Sequence, residues 1–141
     1  MKRLALLSVI SLMLASAVFT PAAMAQEPGA VDVQSVTLGP GGSVTVTGTI
    51  QCVEDQQYFW NVDIRQRTSG NVFLTAFGQN SGICEDTGPL LFEFTAFGRL
   101  ADGAEKPFHK GPAVVSTFGE ICAPGGFPCE RQTSIEEVRI G

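Results

Sequence analysis

The stretch Val44-Thr45-Val46-Thr47-Gly48-Thr49-Ile50-Gln51-Cys52 decides the fold. Val44, Val46, Gly48, Ile50 and Cys52 fall on one side of an extended chain, and Thr45, Thr47, Thr49 and Gln51 on the other. Side chains alternate across a strand, so this two-residue period predicts one face packed on a core and one face in water. It places Cys52 on the core face, where a buried disulfide fits.

The same reading extends on both sides. Val31 to Leu38 predicts a preceding strand, and Gly39-Pro40-Gly41-Gly42 a turn. After a loop at Val53 to Gln56, Tyr58, Trp60, Val62 and Ile64 alternate with Phe59, Asn61, Asp63 and Arg65; the first set is predicted to be core, anchored by the single tryptophan. A turn at Thr68 to Asn71 leads to a strand from Val72 to Phe77. Gly78 to Pro89 reads as irregular, because it holds Cys84 among Gly, Asn, Ser and Asp. Leu90, Phe92, Phe94 and Ala96 face the core of the next strand. Ala101 to Pro112 reads as a polar loop, Ala113 to Ile121 as a strand, Cys122 to Cys129 as a hairpin tip, and Thr133 to Ile140 as the closing strand. In that last strand Ile135 fits one face while Val138 and Ile140 fit the other, so a β-bulge at Glu136-Glu137 is expected to restore the phase. No stretch keeps a 3.6-residue apolar period, so no helix is predicted. Short alternating runs between Gly, Pro, Asn and Asp give an all-β fold: an immunoglobulin-like β-sandwich of about seven antiparallel strands. The string Thr-Ala-Phe-Gly occurs at Thr75–Gly78 and Thr95–Gly98, too short a match for a structural repeat.

The sandwich is preceded by a different kind of sequence. Met1-Lys2-Arg3 is basic, Leu4 to Phe19 is uncharged, Pro21 breaks the run, and Ala23-Met24-Ala25 forms a small-x-small site. This is the three-part pattern of a cleavable secretory signal peptide. The run is short for a membrane span, which needs about 20 apolar residues, and no second apolar run comes after it. The expected organisation is therefore a signal peptide over residues 1–25 and a single β-sandwich domain over 26–141. The product would have no membrane anchor and would be secreted, either extracellular or periplasmic if the source has an outer membrane.

Charge narrows the partners. All fourteen acids lie after Ala25, against seven remaining Lys and Arg. An acidic domain favours solubility and disfavours nucleic acid, which needs a basic surface. The four cysteines, Cys52, Cys84, Cys122 and Cys129, all lie in the exported part and read as disulfides. The preferred pairing is Cys52–Cys84 with Cys122–Cys129, since Ala-Pro-Gly-Gly-Phe-Pro between the last two is a turn sequence. Chain entropy assigns about 3.5 kcal/mol to the longer loop and about 2.5 kcal/mol to the shorter.

These motifs resemble a family of small exported actinobacterial proteins of unknown function. There, a Gly-x-Val-Thr-Leu-x-Gly-x-Tyr-x-Cys strand, matched here by Gly42 to Cys52, precedes a Val- and Phe-rich strand. A second cysteine and a Gly-Pro-Ala-x-Val strand come later, matched by Cys84 and by Gly111-Pro112-Ala113-Val114-Val115. The resemblance supports the Cys52–Cys84 pairing. It does not extend to Cys122 and Cys129, and it implies no activity and no functional residue.

Catalytic and metal patterns are weak. His109, the only histidine, sits in Lys106-Pro107-Phe108-His109-Lys110 and reads as a solvated loop residue. There is no Gly-x-Ser-x-Gly elbow, and oxidised cysteines are not nucleophiles. Zinc is disfavoured by the lack of Cys-x2-Cys spacing and by the single His. Glu93 lies between Phe92 and Phe94 but alternation turns it outward. The Cys52–Cys84 bridge would crowd Glu54-Asp55 against Glu85-Asp86, yet calcium-loop spacing is missing. No enzyme activity, cofactor or metal is expected.

Binding features are stronger. Phe59, Leu91, Phe97, Phe73 and Phe77 lie on faces that alternation assigns to solvent, and exposed aromatic surface marks partner or ligand sites. Phe127 sits in the loop closed by Cys122–Cys129, preorganised for recognition. Phe59, Phe97 and Phe127 are the candidate binding surface. The expected function is an exported non-enzymatic binding or interaction domain for an unknown protein or a small apolar ligand. A first alternative is a small-molecule carrier resembling immunoglobulin-like chromophore-binding apoproteins, which needs an apolar cleft lined by Phe59, Phe97 or Phe127. A second is protease-inhibitor-like recognition through the Cys122–Cys129 loop, and a secreted hydrolase built on His109 ranks third.

Overall fold

A computed structural model describes residues 26–141 of the chain; the signal peptide predicted over 1–25 lies outside them. Strands β1 (Val31–Leu38), β2 (Val44–Cys52) and β5 (Gly88–Ala96) form a three-stranded antiparallel sheet in the order β1-β2-β5. Strands β3 (Gln57–Ser69), β4 (Val72–Ile83), β6 (Gly98–Arg99), β7 (Glu105–Lys106), β8 (Gly111–Cys122) and β9 (Cys129–Ile140) form a second antiparallel sheet in the order β7-β6-β4-β3-β8-β9. The two sheets pack as an all-β sandwich. Seven of the strands are long, and the other two, β6 and β7, have two residues each.

The alternation in β2 has the predicted consequence. Val44, Val46, Ile50 and Cys52 are buried and meet Trp60, Val62 and Ile64 of β3, Leu74 of β4, and Val115 and Ile121 of β8. Thr45 and Thr47 turn outward beside hydroxyls of their neighbours, with Ser35 Oγ 2.7 Å from Thr47 Oγ1 and Thr45 Oγ1 2.9 Å from Thr95 Oγ1, whereas Thr49, predicted to meet water, is buried. Such cross-strand hydroxyl pairs stabilise a sheet by a few tenths of a kcal/mol to about 1 kcal/mol each.

One long side of the sandwich is closed. The Leu38 N–H donates to Gly141 O at 3.0 Å and the Gly141 N–H donates to Val36 O at 3.2 Å, which ties the end of β1 to the end of β9. The opposite side, between β4 and β5, is not bridged by strand pairing. The chain crosses from one sheet to the other at Phe97, between β5 and β6. Beyond β7, Phe108 is buried and its N–H donates to Gly42 O at 2.8 Å, plugging one end of the core.

Several expectations are corrected. The strand predicted over Val72 to Phe77 continues to Ile83, because all twelve residues of β4 find partners along β3, from Ser69↔Val72 to Gln57↔Ile83. The polar segment Ala101 to Pro112 contains β7 and the first residues of β8. The closing strand starts at Cys129 rather than Thr133, since β8 pairs with it continuously from Cys122↔Cys129 to Gly111↔Ile140. That continuity leaves no bulge at Glu136-Glu137. Ile135 simply faces outward and is 77% exposed, while Ile140 is buried. The register shifts instead in β1, between Val33 and Ser35, and in the β3–β4 hairpin, between Arg67 and Ser69.

Candidate functional site

The two outer faces of the sandwich differ chemically. On the three-stranded sheet the outer face is rich in Ser and Thr, with Leu91 its exposed large apolar residue. On the six-stranded sheet, alternation and register bring apolar side chains into adjoining rows. Phe73 and Phe77 come from β4, Phe59 from β3, Val114 and Phe118 from β8, and Ile135 from β9. Phe73, Phe77, Val114 and Ile135 are exposed. Phe59 and Phe118 form a tilted pair with ring centroids 5.9 Å apart, placed by the diagonal offset between Phe59↔Glu120 and Asn61↔Phe118.

Polar groups punctuate this face. Arg67 lies opposite Phe73 with its guanidinium 5.9 Å from the ring centroid, a cation–π arrangement. Its Nε also donates to Gly70 O and its terminal nitrogen to Asn71 Oδ1 at 3.0 Å, so the hairpin turn fixes the guanidinium over the ring. Arg65 pairs with Asp63 at 2.8 Å, and Arg131 pairs with its cross-strand neighbour Glu120. Arg65, Arg67, Phe73, Pro112 and Val114 line a shallow hollow on the sheet. The face thus carries exposed aromatic and aliphatic side chains interspersed with Thr75, Asn61, Asp63, Ser116 and Thr133 and with guanidinium and carboxylate groups.

The three residues singled out from the sequence occupy separate places. Phe59 is half-buried against Phe118 on the face of the sheet, not fully exposed as alternation predicts, because Phe118 covers it. Phe97 is exposed where the chain crosses between the sheets, beside a groove it shares with Phe77, Thr75, Arg99 and Glu105. Phe127 is 83% exposed at the β8–β9 tip. They do not surround one cleft. Phe73 and Phe77 behave as alternation predicts, while Val114, Phe118 and Ile135 were missed; strict alternation applied to β8 and β9 in continuous register would have found them.

Both disulfides pair as expected. Cys52–Cys84 is buried and joins the end of β2 to the residue after β4, so it links the two sheets. Cys122–Cys129 bridges directly opposed residues of β8 and β9 on the outer face. Gly125 and Gly126 both have positive φ, at 96° and 94°, which lets the tip turn where a side chain would be strained. The Gly126 N–H donates to Ala123 O, and the Ala123 N–H to Pro128 O, each at 2.9 Å.

The acidic pairs beside Cys52 and Cys84 engage through their backbones. The Asp55 N–H donates to Cys84 O at 3.0 Å, the Cys84 N–H to Gln56 O at 2.9 Å, and the Glu54 N–H to Thr87 Oγ1 at 3.0 Å. Among the described residues, the group of metal-ligating type within reach of one another is Glu120 with Cys122 and Cys129, whose sulfurs are consumed in the disulfide. His109 is exposed, and its backbone is clamped by the buried Gln66: Gln66 Nε2 donates to His109 O at 2.7 Å and the His109 N–H donates to Gln66 Oε1 at 3.0 Å. No family model, curated protein or solved structure matches the chain.

Proposed function

We propose that the protein is an exported, non-enzymatic binding domain that recognises an apolar surface of a partner through the outer face of its six-stranded sheet. The observation that carries this reading is the exposure of Phe73, Phe77, Val114 and Ile135 on one sheet face whose counterpart across the sandwich is hydroxyl-rich. A solvent-facing sheet is ordinarily polar, and exposed large apolar side chains gathered on one face among polar residues point to an interaction site. The arginines between the rows suit an interface, where Arg and aromatic residues are enriched and supply both area and directional hydrogen bonds.

Export is supported by two disulfides and by the signal pattern before Gln26; no helix among the described residues is long and apolar enough to cross a membrane. The immunoglobulin-like reading is supported by strand order. Here β1-β2-β5 faces β4-β3-β8-β9, which in immunoglobulin lettering is an A-B-E sheet against C′-C-F-G. Trp60 on the third strand occupies the core position such domains give to tryptophan. The inter-sheet staple differs, running from the second strand to the β4–β5 connection.

A hydrophobic dye that brightens on apolar surfaces tests the reading. Wild-type protein is expected to bind it, and Phe73→Ser/Phe77→Ser/Ile135→Ser to lose most of that binding with its unfolding midpoint nearly unchanged. Equal dye binding by the two proteins would overturn the assignment of this face. A second reading, inhibitor-like recognition through the β8–β9 tip, is favoured by Phe127 standing 83% exposed on a disulfide-closed loop. It predicts inhibition of a secreted serine protease that Phe127→Ala abolishes.

A further inference from the structure

The two margins of the six-stranded sheet are built differently. On one side, β9 carries Glu130, Arg131, Glu136, Glu137 and Arg139, the kind of charged side chains with which sheets keep their edges from pairing. On the other side the long strand is β4. Its neighbour β6 has two residues and meets it at Thr75↔Arg99. From Ala76 to Ile83, β4 therefore has a strand partner on its β3 side alone. The whole of Val72–Ile83 contains no charged residue and no proline. An uncharged, extended edge of this length is a template for pairing with another chain.

The exposed part of this edge is complementary to itself. Phe77, Gln79, Ser81 and Ile83 point to the outer face, and Phe77 and Ile83 are each 64% exposed. Two copies running antiparallel about Asn80 would set Phe77 of each against Ile83 of the other, and Gln79 against Ser81. On the inner side Gly78 would oppose Gly82, with Asn80 on the axis; Asn80 Oδ1 accepts from the Ser81 N–H at 2.8 Å, a contact that pairing would exchange for one to the partner strand. Sliding the register by two residues breaks this match. One slide sets Phe77 against Ser81 and pushes Ile83 onto Thr75, already occupied by β6; the other sets Phe77 against Glu85, beyond the strand.

We propose that the domain forms a two-fold dimer by antiparallel pairing of β4 with β4 of a second copy, centred on Asn80. A two-fold interface uses the same patch on both subunits, and this edge satisfies that requirement in a single register. Pairing joins the two six-stranded sheets edge to edge and brings the apolar rows of both copies onto one continuous face. The dimer does not depend on what that face binds, so its failure would leave the proposed recognition surface standing.

Sedimentation velocity on the exported chain, purified with both disulfides formed, tests the proposal over about 1 to 100 µM. The wild type is expected to show a concentration-dependent dimer. Gln79→Lys/Ser81→Lys, which sets lysine against lysine at exposed positions, is expected to weaken association at least about tenfold. Gln79→Lys/Ser81→Glu sets opposite charges against each other in the same register and is expected to restore it. A wild type that stays monomeric throughout, a dimer indifferent to the double lysine variant, or equal loss in both charged variants would each overturn the proposal. So would a monomer whose β4 amides become shielded from exchange on adding an extended peptide of unrelated sequence, which would assign the edge to a peptide partner.

Discussion

Gly48 of β2 lies opposite Phe92 of β5, and the Phe92 ring occupies the space where a side chain on Gly48 would stand. From there the ring stacks on Trp60 of the other sheet, with centroids 4.3 Å apart and planes inclined by 25°. Gly78 of β4 likewise leaves room for Phe94, which reaches it from the other sheet and whose ring lies 5.9 Å from Trp60. The core is thus built around one tryptophan bracketed by two phenylalanines, each made possible by a glycine. Aromatic stacking of this kind adds about 0.5–1.5 kcal/mol beyond the area buried.

Gly48→Ala is therefore expected to destabilise the domain by about 1–3 kcal/mol, the usual cost of overpacking. Strand propensity alone predicts the opposite sign, because Ala is better than Gly in a strand interior. Urea unfolding decides between the two effects: an increase in the midpoint would show that both the Phe92 ring and the Asp32 carbonyl, which crowd the same point, move aside freely.

Removing the inter-sheet staple with Cys52→Ala/Cys84→Ala should cost about 3–4 kcal/mol, from chain entropy and the two small voids left behind. Cys122→Ala/Cys129→Ala should cost less, about 2.5 kcal/mol, because its loop spans seven positions rather than thirty-two. Paired denaturation curves check the order, and a larger loss at the tip would contradict it.

Gln66→Leu should destabilise by about 2–3 kcal/mol, since it keeps the volume but leaves the His109 N–H and C=O without the partners they have now. The loop between β7 and β8 is expected to loosen with it. Hydrogen exchange at the His109 amide should speed up well before the core amides do, and unchanged protection there would show that the clamp is dispensable.

Phe127→Ala should leave the unfolding midpoint within about 0.5 kcal/mol of the wild type, because an exposed side chain at a turn contributes little to stability. Thermal or urea unfolding is sufficient to check this. A loss above about 1 kcal/mol would mean that the Phe127 ring packs on the tip rather than standing free.

Where one face of a strand is buried and the other solvated, the sequence was readable. Val44 to Cys52 and Tyr58 to Ile64 alternate cleanly because each borders a single core, and the pairing of the cysteines followed from the turn residues between Cys122 and Cys129. Legibility failed where a neighbouring strand, not local chemistry, dictated structure. Gln79 to Ile83 has a loop composition but is a strand because β3 runs alongside it, and Gly78 is there to admit Phe94 from the other sheet. Ile135 suggested a bulge only because an outward-facing isoleucine looked like an error of phase. It is an exposed residue of the apolar face, so a feature belonging to the candidate site was misread as a local irregularity.

The Cys52–Cys84 bond also bears on how quickly the domain forms. Its covalent ring encloses the entire β3–β4 hairpin, and Cys52 pairs with Gly88 at the first rung between β2 and β5. In an oxidised unfolded chain, β2 meets β5 by closing only the short span from Cys84 to Gly88, rather than the whole hairpin between them. Loop closure must precede the contacts that reward it, so shortening it lowers the entropic barrier. Refolding from the oxidised state should accordingly outpace refolding of the Cys52→Ala/Cys84→Ala chain, with the gain confined to the folding rate if β2–β5 pairing belongs to the nucleus.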